Sequence, residues 1–162
     1  MVLLHEHGLA SPMVGILRQE LDSLVRVIYL LSIRDKKYRK QLIEASIEGE
    51  RWTHKGKRSR ITDREMVALA QHLHGWTQLV YRFGCAFVHL SNCHDHGSRD
   101  PLKSLAPTDR AVLLQYMRQY HHGPSMENPK FADLIPYIPR VFEKVAGNLE
   151  CYLSDLEKRV LR

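Results

Sequence analysis

Arg82 and His89 stand seven residues apart, pairing a permanent cation with a group that titrates near neutrality. A histidine can serve as general base or general acid. An arginine keeps its charge and offers a planar fork of donors to an anion. Together they suit a reaction in which a proton moves while negative charge builds on an oxygen. On a helix, seven steps of about 100° return to nearly the same direction, so the two side chains would share one side.

The element that must position them announces its own start. Thr62-Asp63-Arg64-Glu65 reads as a capping box, with Ile61 and Met66 placed as a hydrophobic staple around it. From there Met66, Leu69, Ala70, Leu73, Trp76, Val80, Phe83, Phe87 and Leu90 keep helical spacing as far as Ser91-Asn92. The spacing therefore predicts one long helix. Its apolar stripe is centred about 150° from Arg82 and His89. The opposite face carries Gln71, Gly75, Gln78, Arg82, Cys85, Ala86 and His89, a seam of polar or small residues on which a second helix could lie.

A second group of candidates precedes that helix. Residues 34–60 hold ten lysines and arginines against Asp35, Glu44, Glu48 and Glu50, which accounts for the whole net charge of +6. Within it Arg51, Trp52, Lys55, Lys57, Arg58 and Arg60 form a basic loop with one aromatic, the composition of a surface that tracks phosphates. Trp52 is open to two readings, a base-stacking platform or a core anchor for the loop. A third group, His94 and His96, follows His89 closely and is read as helping to position a substrate. Cys93, His94 and His96, with His89 or with His121 and His122, also admit a metal reading. Their spacing matches no zinc pattern, and no metal is expected.

The other helices follow from periodicity. Ser11-Pro12 reads as cap and first turn of a helix to about Ser32, with Leu17, Leu21, Leu24, Ile28 and Leu31 inward and Arg18, Asp22 and Arg26 outward. A second runs from about Asp35 to Ile47, with Tyr38, Leu42 and Ile43 inward and Arg39 among the outward cations. Thr108 caps a fourth, with Val112, Leu113, Tyr116 and Met117 inward, that stops at Gly123-Pro124. Pro136 and Pro139 open the last, striped by Val145, Leu149, Tyr152, Leu156 and Val160. No alternating strand pattern competes. The fold expected is all-α, an up-and-down bundle of about five helices in one domain over residues 1–162.

Composition narrows the class. A chain 44% hydrophobic and 26% charged is that of an ordinary globular protein, and no segment approaches the roughly 20 apolar residues of a membrane span. His5, Glu6 and His7 interrupt the apolar start, so no signal peptide is expected. Three cysteines without framework spacing suit a reducing cytoplasm.

An all-helical chain with Arg-x(4 to 6)-His at the end of its third major helix resembles the HEPN superfamily, the motif here being Arg82-Phe-Gly-Cys-Ala-Phe-Val-His89. The resemblance implies a HEPN-like helical domain. It also implies a metal-independent endoribonuclease of the toxin–antitoxin or other bacterial defence type. Such an enzyme works as a homodimer on RNA, needs no cofactor, and has a cognate antitoxin protein as a further partner. RNA carries its own nucleophile, the 2′-OH. Cleavage then needs a base, an acid for the leaving 5′-oxygen, and positive charge on the phosphorane, and a twofold dimer would supply two histidines and two arginines. The alternative is a non-catalytic bundle of the same kind that binds nucleic acid or protein. A metal-dependent hydrolase built on the histidine loop stands third.

Overall fold

Apolar stripes become helices along most of the chain, and the places where they fail to do so shape the molecule. The computed structural model describes residues 1–88 and 99–160, without the side chains of Phe83 and of residues 85–88. In chain order the α-helices are α1 (Val2–Glu6), α2 (Ala10–Ser32), α3 (Lys36–Ile47), α4 (Asp63–His74), α5 (Thr77–Val88), α6 (Pro107–His121), α7 (Phe131–Leu134) and α8 (Ile138–Val160). Short 3-10 turns at Pro101–Ser104 and Ile135–Tyr137 complete the regular structure among the described residues. Among the described residues there is no strand, only an isolated bridge between Thr53 and Arg60. The protein is an all-α bundle. No helix among the described residues is long and apolar enough to cross a membrane.

α2 is the central post. Met13, Val14, Leu21, Leu24 and Val25 are all but inaccessible, because α8, α5 and α4 pack on it from different sides. That wide embrace also buries Arg18, which the stripe had placed outward. Its guanidinium pairs with Asp22 and lies over the Tyr81 ring at 4.0 Å. Arg39 of α3, likewise placed outward, is buried as well. The helix begins earlier than its signal suggested. Ser11 and Pro12 lie inside the first turn, and Leu9 caps it without a side-chain bond. The start of α6 shifts in the same sense, with Pro107 in its first turn and Thr108 inside it. Val112, expected inward on α6, is exposed, while Leu113 and Met117 are buried.

The long third helix does not exist as one piece. Its capping box forms as read: the Thr62 hydroxyl accepts from the Glu65 amide, and the Glu65 carboxylate accepts from the Thr62 amide. The helix then stops at His74. Gly75 takes a φ of 67°, a left-handed conformation that favours glycine as a helix terminator. The Gln71 side chain staples the break. Its carboxamide oxygen accepts from the Thr77 hydroxyl at 3.1 Å and the Gln78 amide at 2.9 Å, and its nitrogen donates to the Gly75 carbonyl. Leu73, assigned to the core stripe, is consequently exposed.

Direction along the bundle is not strictly alternating. Val14 and Leu17 share a small apolar space with Ile138 and Val141 at the start of α8. At the other end Arg159 Nη1 donates to the Leu31 carbonyl at 3.0 Å. α8 therefore runs parallel to α2. The return stroke before it, residues 122–137, has only the one-turn α7 and a 3-10 turn as regular structure, and is held by Arg118 to the Pro124 and Met126 carbonyls, Arg110 to the Pro129 carbonyl and Asp100 to the Phe131 amide. Three prolines in that stretch leave fewer amide donors for a helix.

Candidate functional site

Arg82 sits on α5, whose core side is formed by Thr77, Leu79 and Gly84. Its side chain is 57% exposed, and its Nη1 lies 3.3 Å from the Asp109 carboxylate in the first turn of α6. An ion pair this open to water is weak and exchangeable, so the guanidinium can turn to an incoming anion. His89, the other half of the motif, lies outside the described residues, as do His94, His96 and Cys93. The seam behind Arg82 is shorter than expected. Gln71 and Gly75 belong to the break, and a Cβ at Gly75 would come within 2.6 Å of the Tyr116 hydroxyl. What remains on α5 is Gln78, Arg82 and the positions that continue their line.

The basic loop is a tight excursion. The bridge between Thr53 and Arg60 is supported by the His54 amide on the Ser59 carbonyl, with Gly56 in the left-handed region at the tip. Trp52 is a correction. It is only 5% exposed, its indole nitrogen donates to the Ser46 hydroxyl at 2.9 Å, and its ring packs 6.0 Å from Tyr29. The guanidinium of Arg26 covers it at 5.6 Å. A ring this buried leaves no open face on which a base could stack, so Trp52 is the loop's anchor. Lys55 is engaged by Asp35, and this bond with the Tyr38 amide holds the Asp35 carboxyl below its usual range. Arg51, Lys57, Arg58 and Arg60 are exposed and meet no carboxylate among the described residues. The loop packs at the level of Arg26 and Tyr29 on α2, whereas Tyr81, beside Arg82, packs at Arg18. At 1.5 Å per residue those levels are about 15 Å apart.

The structure also assembles a cleft that sequence spacing did not foretell. It has a volume of about 260 Å³ and opens where α4 breaks from α5, between α6 and α8. His74 and Trp76 enter from the break, Tyr116, Tyr120 and His121 from α6, and Lys144 from α8. Tyr152 Oη lies 3.2 Å from His74 Nε2, and the two rings meet edge-on. Burial, then the Lys144 charge, pushes both imidazoles below their ordinary value, with Arg140 and His122 adding to the effect at His121. Both are therefore neutral hydrogen-bonding groups near neutral pH. The only signal in the sequence was Gly75 followed by Thr77, a stop and restart inside an otherwise continuous stripe.

Compared with known proteins, the chain matches no family model, no curated protein and no solved structure.

Proposed function

We propose that this protein is a metal-independent endoribonuclease of the HEPN type, with Arg82 and His89 acting on the scissile phosphate in a homodimeric cleft. The observation that carries the reading is the placement of Arg82, an exposed cation on the side of α5 turned away from the core. Four cations of the basic loop, which meet no carboxylate among the described residues, stand ready to hold the RNA backbone further along the bundle. In the proposed reaction one histidine takes the proton of the 2′-OH, and that oxygen attacks the phosphorus. The bond to the 5′-oxygen breaks, the second histidine of the dimer protonates it, and arginine stabilises the charge on the non-bridging oxygens. The products carry a 2′,3′-cyclic phosphate and a free 5′-OH. A toxin or defence effector in the cytoplasm, restrained by an antitoxin protein, is the setting we propose for it.

Incubation with single-stranded RNA in excess EDTA, with product ends read by mass spectrometry, tests this. Cleavage to cyclic phosphates is expected, with DNA untouched because it lacks the nucleophile. Activity abolished by chelation and restored by Zn²⁺ would move the assignment to a metal-dependent hydrolase.

Backbone tracking by the loop has its own test. Replacing Lys57, Arg58 and Arg60 together by glutamine is expected to weaken RNA binding whatever the sequence. The slope of log K against log salt should fall by about 2 for a single strand. Lys55→Gln should change the slope less, since Lys55 is already committed to Asp35. Anisotropy titrations across a salt series measure both, and an unchanged slope in the triple variant would reduce the loop to a solvated surface.

The ion pair with Asp109 favours a second reading, a non-catalytic bundle of the same type that binds nucleic acid or protein and in which Arg82 ties α5 to α6.

A further inference from the structure

We propose that the cleft between the α4–α5 break, α6 and α8 is a binding site for a small planar aromatic carboxylate. It shares no residue with Arg82, His89 or the basic loop, so it stands independently of the nuclease reading.

Shape sets the size of the ligand. A volume of about 260 Å³ falls below the roughly 300–1,000 Å³ of pockets for drug-sized molecules. One or two rings fit, with a short tail. The walls set its shape. Tyr116 and Tyr120 stack on each other, 19° apart with centroids at 5.7 Å, and together line one side with aromatic surface. Across from them His74 and Trp76 stand 5.4 Å apart, and Leu79, Val80 and Val145 form an apolar floor. Flat aromatic walls over an aliphatic floor favour a flat ring over a branched chain.

Charge sets the tail. Lys144 holds its ammonium 5.6 Å from the Tyr120 ring centroid, and among the described residues no aspartate or glutamate lines the cleft. A ring seated against the Tyr116–Tyr120 wall would therefore bring an attached anion to Lys144 without meeting a carboxylate among the described lining residues. The neutral His121 imidazole supplies a donor and an acceptor, and Asn148 supplies both again, for hydroxyl or ring-nitrogen substituents, while His74 has its Nε2 engaged by Tyr152. A single lysine, with no second cation on the lining, matches a monoanion better than a phosphate dianion.

Calorimetric titration of the whole protein decides the matter, with indole-3-acetate and 4-hydroxybenzoate as probes and indole-3-ethanol and AMP as controls. The two acids are expected to bind saturably, and more tightly than either control. Lys144→Ala should weaken the acids about tenfold and leave indole-3-ethanol unchanged. Tyr120→Ala should weaken acid and alcohol alike, by about fivefold. Both residues are exposed, so the fold survives either change, and circular dichroism checks that it has. Absence of saturable binding by both acids would overturn the proposal. So would acid binding that neither variant alters, or tighter binding of AMP than of the acids.

Discussion

Proteins carrying His89→Ala or Arg82→Ala are expected to cleave RNA about 10²-fold or more slowly than wild type, because each change removes a proton-transfer group or a charge stabiliser from one transition state. The Arg82 variant should melt within about 3 °C of wild type. Its side chain is 57% exposed and its one ion pair is with a carboxylate that is itself accessible, the kind of pair that contributes about 0–1 kcal/mol. The two losses should be far from additive, since both residues act on the same phosphate. Mixing the two inactive proteins should restore at most a fraction of the activity, because a mixed dimer still lacks one histidine and one arginine. Asp109→Asn separates catalysis from structure at this position. If Arg82 serves the phosphate, freeing it from Asp109 leaves cleavage intact or raises it. If Arg82 only ties α5 to α6, Asp109→Asn and Arg82→Ala share a modest loss of stability, and neither changes cleavage. A fully active His89→Ala protein would end the nuclease assignment for this motif.

How much of this was legible in the sequence depends on how local the cause is. The Thr62 cap and the Asp35 start of α3, where the Tyr38 amide meets the Asp35 carboxylate at 3.1 Å, are settled within four residues and were readable. So was the apolar face of α2. The break at Gly75 was not, because the apolar spacing on either side remains compatible with a single helix. The decision lies in a left-handed glycine and in a Gln71 side chain reaching across to Thr77 and Gln78. Arg18 was misplaced for a different reason. A stripe defines one buried face, and only the number of neighbours packed on α2 makes that face wide enough to take in a cation stacked on Tyr81. The aromatic cleft draws its walls from residues far apart in the chain, His74 with Tyr116 and Tyr120 with Lys144. No periodicity relates such pairs before the helices are docked.

Trp52 shows what that difference costs in stability. A tryptophan in a basic loop can be a platform for bases or the peg that fixes the loop, and the two roles predict opposite results for Trp52→Ala. Here the ring is 5% exposed between Tyr29 and Arg26, and its nitrogen bonds to Ser46. Removing it empties the space where the loop crosses the end of α2, and buried Trp→Ala changes cost about 3–5 kcal/mol. For a domain of this size that lowers the melting temperature by roughly 10 °C or more. Trp52→Phe should lose less. It keeps a ring against Tyr29, and the Ser46 hydroxyl retains its own bond to the Leu42 carbonyl at 3.0 Å. Urea denaturation followed by circular dichroism measures both losses. Well below its melting temperature, the alanine variant should still bind RNA with an undiminished salt slope, because no charge has been removed. A Trp52→Ala protein as stable as wild type but weakened for RNA would reverse the assignment and make the indole a stacking surface. The burial of Trp52 argues for the first outcome: the ring holds the loop in place, and Arg51, Lys57, Arg58 and Arg60 around it are exposed to the solvent where a phosphate chain would pass.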